Sequence, residues 1–201
     1  MLPWGLIQIQ RGVTHPVVSF AGNWLEELIA EWLELDRFLV QVTPPVQIRA
    51  RGGRRAPDVV GARIYQGTLQ IRHCEAASWP AQNPNQLAQS YSGKFAQPIQ
   101  QAVSDSFARL FGLPQGSAHT YEIWVIVGGI IRPAMQSLVA ALPGARVLRA
   151  DDFIRQHVWQ AIQAWRTANP TGSGTLPTLP TDKWLLQLLD YLAASQMLSQ
   201  P

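Results

Sequence analysis

The residues best suited to catalysis lie at the ends of two adjacent predicted strands. Asp58 stands at the start of the first strand, and the second strand ends with His73 and Glu75, two positions apart. Because side chains alternate across a strand, His73 and Glu75 share the face that carries its apolar residues. Two carboxylates brought together at the tip of that face repel each other unless a cation lies between them. The spacing therefore predicts a metal site formed by Asp58 and Glu75.

Arginines crowd the chain around these two strands. Six of the 16 basic residues fall between positions 49 and 72, namely Arg49, Arg51, Arg54, Arg55, Arg63 and Arg72. Such a cluster favours binding to a polyanion such as a nucleic-acid backbone. The alternative is a solvated loop that binds no ligand.

The elements that must position these residues alternate between helix and strand. The first helix begins near Asn23, a favourable N-cap, with Glu26 three residues later as in a capping box. A strand follows at 38–42, and a turn at Gln66 and Gly67 joins the two strands that carry the acidic residues. The remaining predicted elements are a helix from 85 or 86 to 110 with Pro98 as a candidate kink, a strand at 122–131, a helix at 133–142, a strand at 146–148 and a helix at 151–165. This order predicts an α/β fold, a mixed sheet with helices on its faces.

The C-terminal part of the chain has a different character. Residues 169–180 are rich in Pro, Thr, Gly and Ser and predict a linker, and residues 181–201 predict an amphipathic helix. The sequence thus divides into a main domain at 1–168, the linker and the helix. A tethered helix docks either on its own domain or on a partner. Binding through this helix to a second copy of the chain, as a homodimer, or to a partner protein is therefore an open alternative.

Composition limits the class of protein. With 201 residues, 47% hydrophobic and 14% charged, the chain is long enough to bury a core. No run approaches the twenty apolar residues that a membrane span needs. The single cysteine excludes a disulfide framework and a zinc site with several cysteines, and it fits a reducing compartment. We therefore expect a cytoplasmic protein with no membrane partner.

These residues, in this order of elements, resemble the PD-(D/E)xK nuclease superfamily, most nearly its archaeal Holliday-junction resolvase and RecB-like type. The resemblance runs from about residue 20 to about residue 165. In that family the first helix supplies a Gly-x-x-x-Glu motif, which Gly22 and Glu26 match. The first strand of the hairpin supplies Pro-Asp, which Pro57 and Asp58 match.

The end of the hairpin departs from the family's motif. Where the family has Glu-x-Lys, this chain has His73 and Glu75, so Glu75 stands at the lysine position. The resemblance implies that the lysine's task of orienting the attacking water passes to Glu75, to His73, or to Lys94 in the following helix. His73 would ligate a softer ion such as Mn²⁺ or accept a proton from that water.

The resemblance implies a restriction-endonuclease-like fold and a Mg²⁺- or Mn²⁺-dependent nuclease that hydrolyses phosphodiester bonds, of DNA more than of RNA. The implied catalytic residues are Glu26, Asp58, His73 and Glu75, and the implied metal ligands are Asp58, Glu75 and Glu26. The implied nucleic-acid-binding residues are Arg49, Arg51, Arg54, Arg55 and Lys94. Two alternatives stay open: a non-catalytic nucleic-acid-binding or interaction subunit built on a degenerate nuclease fold, and an unrelated α/β protein whose hairpin mimics the motif.

Overall fold

A mixed five-stranded sheet forms the centre of the part of the chain that the structure describes. This computed structural model describes residues 24–44, 56–77, 83–130, 132–171 and 177–195. The strands, in their order across the sheet, are β1 (Leu39–Val42), β2 (Val59–Tyr65), β3 (Thr68–Ala77), β4 (His119–Val127) and β5 (Ala145–Arg149). Strands β1, β2 and β3 pair antiparallel, whereas β4 and β5 continue parallel to β3.

Helices cover both faces of the sheet. They are α1 (Trp24–Leu35), α2 (Pro84–Lys94), α3 (Gln97–Leu110), α4 (Arg132–Ala141), α5 (Ala150–Phe153), α6 (Trp159–Ala168) and α7 (Trp184–Ala194). A π-helical segment, Ile154–Val158, joins α5 to α6. No helix within the described ranges is long and apolar enough to cross a membrane. The architecture confirms the predicted α/β class and is consistent with a restriction-endonuclease-like mixed sheet flanked by helices.

Each face of the sheet buries its own apolar residues. Alternate residues of β3 divide between the faces, with Leu69 and Ile71 packed against α3 and Cys74 and Ala76 packed in the cluster that contains α1. A third cluster lies between α2, α4 and β4. Residues 124–127 of β4 are buried alternately in the first and the third of these regions. This stretch of β4 is therefore buried on both faces of the sheet.

A tight turn sets the register of the β2–β3 hairpin. Gln66 and Gly67 both have positive φ, of 49° and 76°, as in the two-residue hairpin turns whose twist matches that of the flanking strands. The start of β2 therefore lies opposite the end of β3. Asp58, which immediately precedes β2, comes to lie beside Glu75. The predicted turn is confirmed, and it is what brings the two carboxylates together.

The long helix predicted from 85 or 86 to 110 is wrong as a single element. The chain forms α2 and α3 instead, separated by Phe95 and Ala96. Ala96 has an extended backbone, with φ −57° and ψ 142°. Pro98 lies in the first turn of α3, where its missing N–H removes no helical hydrogen bond. The break ends α2 at Lys94, and the side chain of this lysine reaches Asp58 and Glu75.

Strand β4 and the helix predicted at 151–165 also differ from the predictions. Strand β4 spans 119–127 rather than 122–131, and it ends just before Gly129, whose φ of 62° does not suit a strand. The helix predicted at 151–165 is divided by the π-helical segment between α5 and α6.

The C-terminal helix α7 packs on α1 of the same chain. The buried Glu31 carboxylate accepts hydrogen bonds from the backbone N–H groups of Leu185 and Leu186, at 3.2 and 2.9 Å. These N–H groups belong to the first turn of α7 and have no acceptor within the helix. The Lys183 ammonium group lies 2.6 Å from a Glu34 carboxylate oxygen. Docking on its own chain is thus observed, while the division of the chain at residues 168 and 180 stays a prediction.

Candidate active site

Asp58, Glu75 and Lys94 meet at the end of the hairpin. Lys94 Nζ donates to Asp58 Oδ1 at 2.6 Å and also donates to Glu75 Oε2. Asp58 is held by a second contact, because its Oδ2 accepts the backbone N–H of Ala76 at 3.0 Å. Glu75 Oε1 in turn accepts the backbone N–H of Asp58 at 3.3 Å. The two carboxylates predicted to bind a metal ion therefore converge on one ammonium group.

Burial decides the electrostatics of this cluster. The side chain of Glu75 is 0% exposed, whereas those of Asp58 and Lys94 are 20% and 15% exposed. Burial raises the pKa of Glu75 well above 4.5, and the charge of Asp58 raises it further, while Lys94 lowers it. Burial by itself would lower the pKa of Lys94, but the charges of Glu75 and Asp58 outweigh it and raise that pKa. Lys94 is therefore a cation at neutral pH.

His73 lies behind Glu75, sealed from solvent. Its Nε2 is 2.9 Å from Glu75 Oε1, and its Nδ1 is 2.9 Å from the Tyr121 hydroxyl oxygen. Burial lowers the pKa of His73 to about 3, and the charge of Lys94 lowers it as well, so the ring is neutral. Either role predicted for His73, as ligand of a softer ion or as proton acceptor from water, would require one of these hydrogen bonds to break.

Glu26 lies in the first turn of α1 and is half-buried. Its charge reaches Tyr91 of α2: burial raises the pKa of Tyr91, and the charges of Glu75, Asp58 and Glu26 raise it further, in that order. The charges of all three predicted acidic ligands therefore raise the pKa of the same group, the Tyr91 hydroxyl. Gly22, the other residue of the first motif, lies outside the described residues.

The donors present fit a divalent ion of the magnesium type. Mg²⁺ prefers oxygen ligands and commonly takes one or two carboxylates, with water and substrate phosphate in its other positions. Asp58 Oδ1 and Glu75 Oε2 face one common position, where the Lys94 ammonium group lies. Across the described residues, no group of three or more His, Cys, Asp or Glu could hold a metal ion. The site therefore fits an ion bound by two carboxylates once the ammonium group moves aside, not an ion enclosed by protein ligands.

The predicted nucleic-acid-binding loop lies outside the residues that the structure describes. This applies to Arg49, Arg51, Arg54 and Arg55. The other two arginines of the cluster are paired with acidic residues. Arg63 lies 2.9 Å from Asp36, and Arg72 lies 2.9 Å from Asp36 and 3.0 Å from Glu122. Both also stack over the Phe38 ring, so they hold the end of α1 on the sheet.

Sequence reasoning named Lys94 among three candidates for the lysine's task but missed its pairing with both carboxylates, and it missed the contact between Tyr121 and His73. A signal existed for Lys94, since it is one of only two lysines in the chain and follows Glu75 on the next helix. Two buried carboxylates need a positive partner, and charge balance alone would have pointed to it. For Tyr121 no such signal exists, because its position depends on the register of β3 against β4.

No protein-family model matches this chain, and no curated protein is significantly similar to it. Membership of the PD-(D/E)xK superfamily therefore stays a prediction, based on the motif residues and the order of the elements. Any functional assignment has to rest on the geometry of the Asp58, Glu75 and Lys94 cluster.

Proposed function

We propose that this protein is a divalent-metal-dependent nuclease of the PD-(D/E)xK type that hydrolyses phosphodiester bonds of nucleic acid, DNA in preference to RNA. The observation that carries the proposal is the convergence of Asp58 Oδ1 and Glu75 Oε2 on the Lys94 ammonium group. Gathering three charges in a largely buried place is unfavourable unless they are closely matched. Strongly perturbed and clustered ionisable groups of this kind are concentrated at functional sites.

Lys94 takes the task of the family's lysine in this proposal. Its ammonium group arrives from α2 and is partly open to solvent, so it can orient a water molecule or neutralise a phosphate oxygen. The other two candidates for this task are less suitable. Glu75 is fully buried, and both ring nitrogens of His73 are engaged in hydrogen bonds.

Asp58 and Glu75 are the proposed ligands of Mg²⁺ or Mn²⁺, and Glu26 is the proposed third acidic residue of the site. When bound, the ion would lower the pKa of the attacking water and neutralise charge on the phosphate. Glu75 is held rigidly by its buried contacts, whereas Asp58 is the carboxylate nearer to solvent and substrate. Together the two carboxylates define the cation position, which the Lys94 ammonium group occupies until it moves aside.

The predicted basic loop would bind the nucleic-acid backbone beside this site. Arg55 precedes Asp58 by only three residues, so the chain between them spans at most about 11 Å. Phosphates bound by Arg55, and by its neighbour Arg54, would therefore lie close to the carboxylates. Arg49 and Arg51 would extend the same contact along the backbone.

A cleavage assay tests the proposal. Wild type, Asp58→Asn and the charge-matched control Asp152→Asn, whose residue lies on α5 in a cavity lined by α4 and β5, are incubated with duplex, single-stranded and branched DNA and with RNA. We expect cleavage with Mg²⁺ or Mn²⁺ and none with EDTA, unchanged in Asp152→Asn and reduced by about a hundredfold or more in Asp58→Asn. The proposal fails if wild type is inert on every substrate, or if Asp58→Asn cleaves as well as wild type.

A second candidate function is non-catalytic binding of nucleic acid. It is favoured by one observation, that the Lys94 ammonium group already pairs with both Asp58 and Glu75. It predicts binding that is insensitive to EDTA, weakens with salt and falls in an Arg54→Ala, Arg55→Ala variant. Such binding without cleavage in Mg²⁺ or Mn²⁺ would select this function.

The proposals on assembly and on cellular location each rest on a single observation. After docking on α1, helix α7 still exposes Trp184, Leu188 and Tyr191, which lie along one side of the helix. This apolar stripe supports a homodimer or a partner protein bound through α7, which analytical ultracentrifugation would test. A cytoplasmic location rests on the single cysteine.

A further inference from the structure

A buried hydrogen-bond chain extends from Glu75 on the side away from Lys94. Glu75 Oε1 lies 2.9 Å from His73 Nε2, and His73 Nδ1 lies 2.9 Å from the Tyr121 hydroxyl oxygen. The side chains of His73 and Glu75 are both 0% exposed. Because His73 is sealed from solvent, it does not touch a substrate, and any effect that it has on the chemistry passes through Glu75.

The donors around Glu75 assign the ring proton of His73. The Lys94 ammonium group and the Asp58 backbone N–H can only donate, so the Glu75 carboxylate accepts at both of its oxygens. A neutral imidazole has a single N–H. With that proton on Nε2, His73 donates to Glu75 Oε1, and its Nδ1 accepts the Tyr121 O–H. Each atom of the chain then has a partner of the right kind.

Aromatic side chains fix the plane of the His73 ring. The Phe95 ring lies at 4.9 Å and the Tyr121 ring at 6.0 Å, both nearly perpendicular to the imidazole. Phe95 directly follows Lys94 in the sequence. The same short segment at the end of α2 therefore supplies the ammonium group and one wall of the histidine pocket. Its position determines the contacts of Glu75 with Lys94 and with His73 at the same time.

We propose that Tyr121 and His73 are positioning residues that hold the Glu75 carboxylate with Oε2 facing Lys94 and the cation position. The inference rests on the proposed function, since it assigns both residues to the same site. Without the hydrogen bond from His73, Oε1 would keep only the longer contact with the Asp58 N–H, and the carboxylate would rotate so that its contact with Lys94 became intermittent. Loss of a partner behind a ligating side chain typically lowers metal affinity or activity about 10- to 100-fold.

The test removes only the Tyr121 hydroxyl group, in Tyr121→Phe. Tyr65→Phe is the matched control, because Tyr65 is half-exposed at the opposite end of β2. Nitrogen-15 spectra of wild type should show His73 neutral and protonated at Nε2. Tyr121→Phe should speed hydrogen exchange of the Lys94 ammonium group severalfold. Lys183, the other lysine of the chain, should not change, and Tyr65→Phe should alter neither lysine.

The same variants are assayed for cleavage. We expect Tyr121→Phe to lower kcat about 10- to 100-fold with KM for nucleic acid unchanged. A His73 ring protonated at Nδ1, or equal Lys94 exchange in wild type and Tyr121→Phe, overturns the positioning role whatever the activity. A wild type that does not cleave, but whose Lys94 exchange responds to Tyr121→Phe as expected, overturns the nuclease proposal and supports the positioning of Glu75.

Discussion

Glu75 accepts a hydrogen bond from Lys94, a residue of helix α2 and not of its own strand. The hairpin supplies the two carboxylates of this cluster, and the neighbouring helix α2 supplies its ammonium group. Lys94 is the last residue of α2, where the helix dipole favours a cation and the side chain can leave the helix axis toward the sheet. The stability of the site and its response to metal ions should therefore both depend on Lys94.

Replacing Lys94 with methionine should destabilise the protein. The Lys94→Met variant keeps most of the apolar stem but leaves Asp58 and Glu75 facing each other without a cation. Removing one partner of a buried ion pair costs about 3–5 kcal/mol. We expect the lower end of that range, because Asp58 is 20% exposed. Chemical denaturation measures the free energy of unfolding.

Gln89→Met on the exposed side of α2 is the control for this measurement. It also introduces methionine into the same helix, and we expect a change within about 0.5 kcal/mol. If Lys94→Met proved as stable as wild type, the ion pairs of Lys94 with Asp58 and Glu75 would not stabilise the folded chain, contrary to this account.

Mg²⁺ should stabilise Lys94→Met more than it stabilises wild type. In wild type the ammonium group competes for the same two carboxylate oxygens, and in the variant these oxygens have no cation. An ion that binds only the folded chain raises the free energy of unfolding by RT ln(1 + [L]/Kd). The measurement is Tm against MgCl₂ concentration, with NaCl at matched ionic strength. A larger shift in wild type would mean that Lys94 assists ion binding.

Glu31→Ala should loosen α7 from α1. The substitution leaves the buried backbone N–H groups of Leu185 and Leu186 without acceptors, which costs about 1–3 kcal/mol. Glu34→Ala, which removes a partly exposed carboxylate partner of Lys183, should cost about 0–1 kcal/mol. Limited proteolysis near the start of α7 and denaturation would both report the difference. Equal effects of the two substitutions would contradict the capping role of Glu31.

The pH dependence of Glu31→Gln tests the charge of the same group. Burial raises the pKa of Glu31 above 4.5, although the N–H groups of Leu186 and Leu185 partly offset this. As pH rises from 4.5 toward the folded pKa, folded wild type binds more protons than the unfolded chain, so its free energy of unfolding falls. Glu31→Gln lacks this titration and should gain stability relative to wild type over that window. A difference that stays constant with pH would argue against a raised pKa.

Two glycines should respond to alanine in opposite directions. A Cβ at Gly61 would lie 3.1 Å from Leu33 Cδ1 and 3.1 Å from Phe38 Cβ, so Gly61→Ala should overpack the contact of β2 with α1 and cost about 1–3 kcal/mol. A Cβ at Gly93, near the end of α2, meets nothing within 4 Å. Gly93→Ala should therefore add about 0.5–1 kcal/mol. Thermal unfolding of both variants checks the signs, and two changes of the same sign would contradict this packing.

The pairing of Asp58 with Glu75 could be predicted because its causes are local. Strand alternation sets the direction of Glu75, and the turn at Gln66 and Gly67 sets the register. The place of Lys94 could not be predicted in the same way, since it depends on where α2 ends, and the pattern of the sequence joined α2 to α3.

The contact of Tyr121 with His73 could not be predicted from the sequence for a different reason. Tyr121 meets His73 through the parallel pairing of β3 with β4, and two helices separate these strands along the chain. The register of such a pair is set by how those helices pack on the sheet, which no short sequence pattern encodes. The basic loop at Arg54 and Arg55 lies outside the described residues, so its contribution stays a prediction.

A Mn²⁺ titration followed by electron paramagnetic resonance tests the metal site most directly, because free Mn²⁺ gives a strong signal that is lost on binding. The proteins to compare are wild type, Asp58→Asn and Asp152→Asn. We predict saturable binding of a single ion to wild type and to Asp152→Asn, with affinity about tenfold or more weaker in Asp58→Asn. Equal binding by all three proteins, or no saturable binding by wild type, would contradict the assignment of Asp58 and Glu75 as metal ligands.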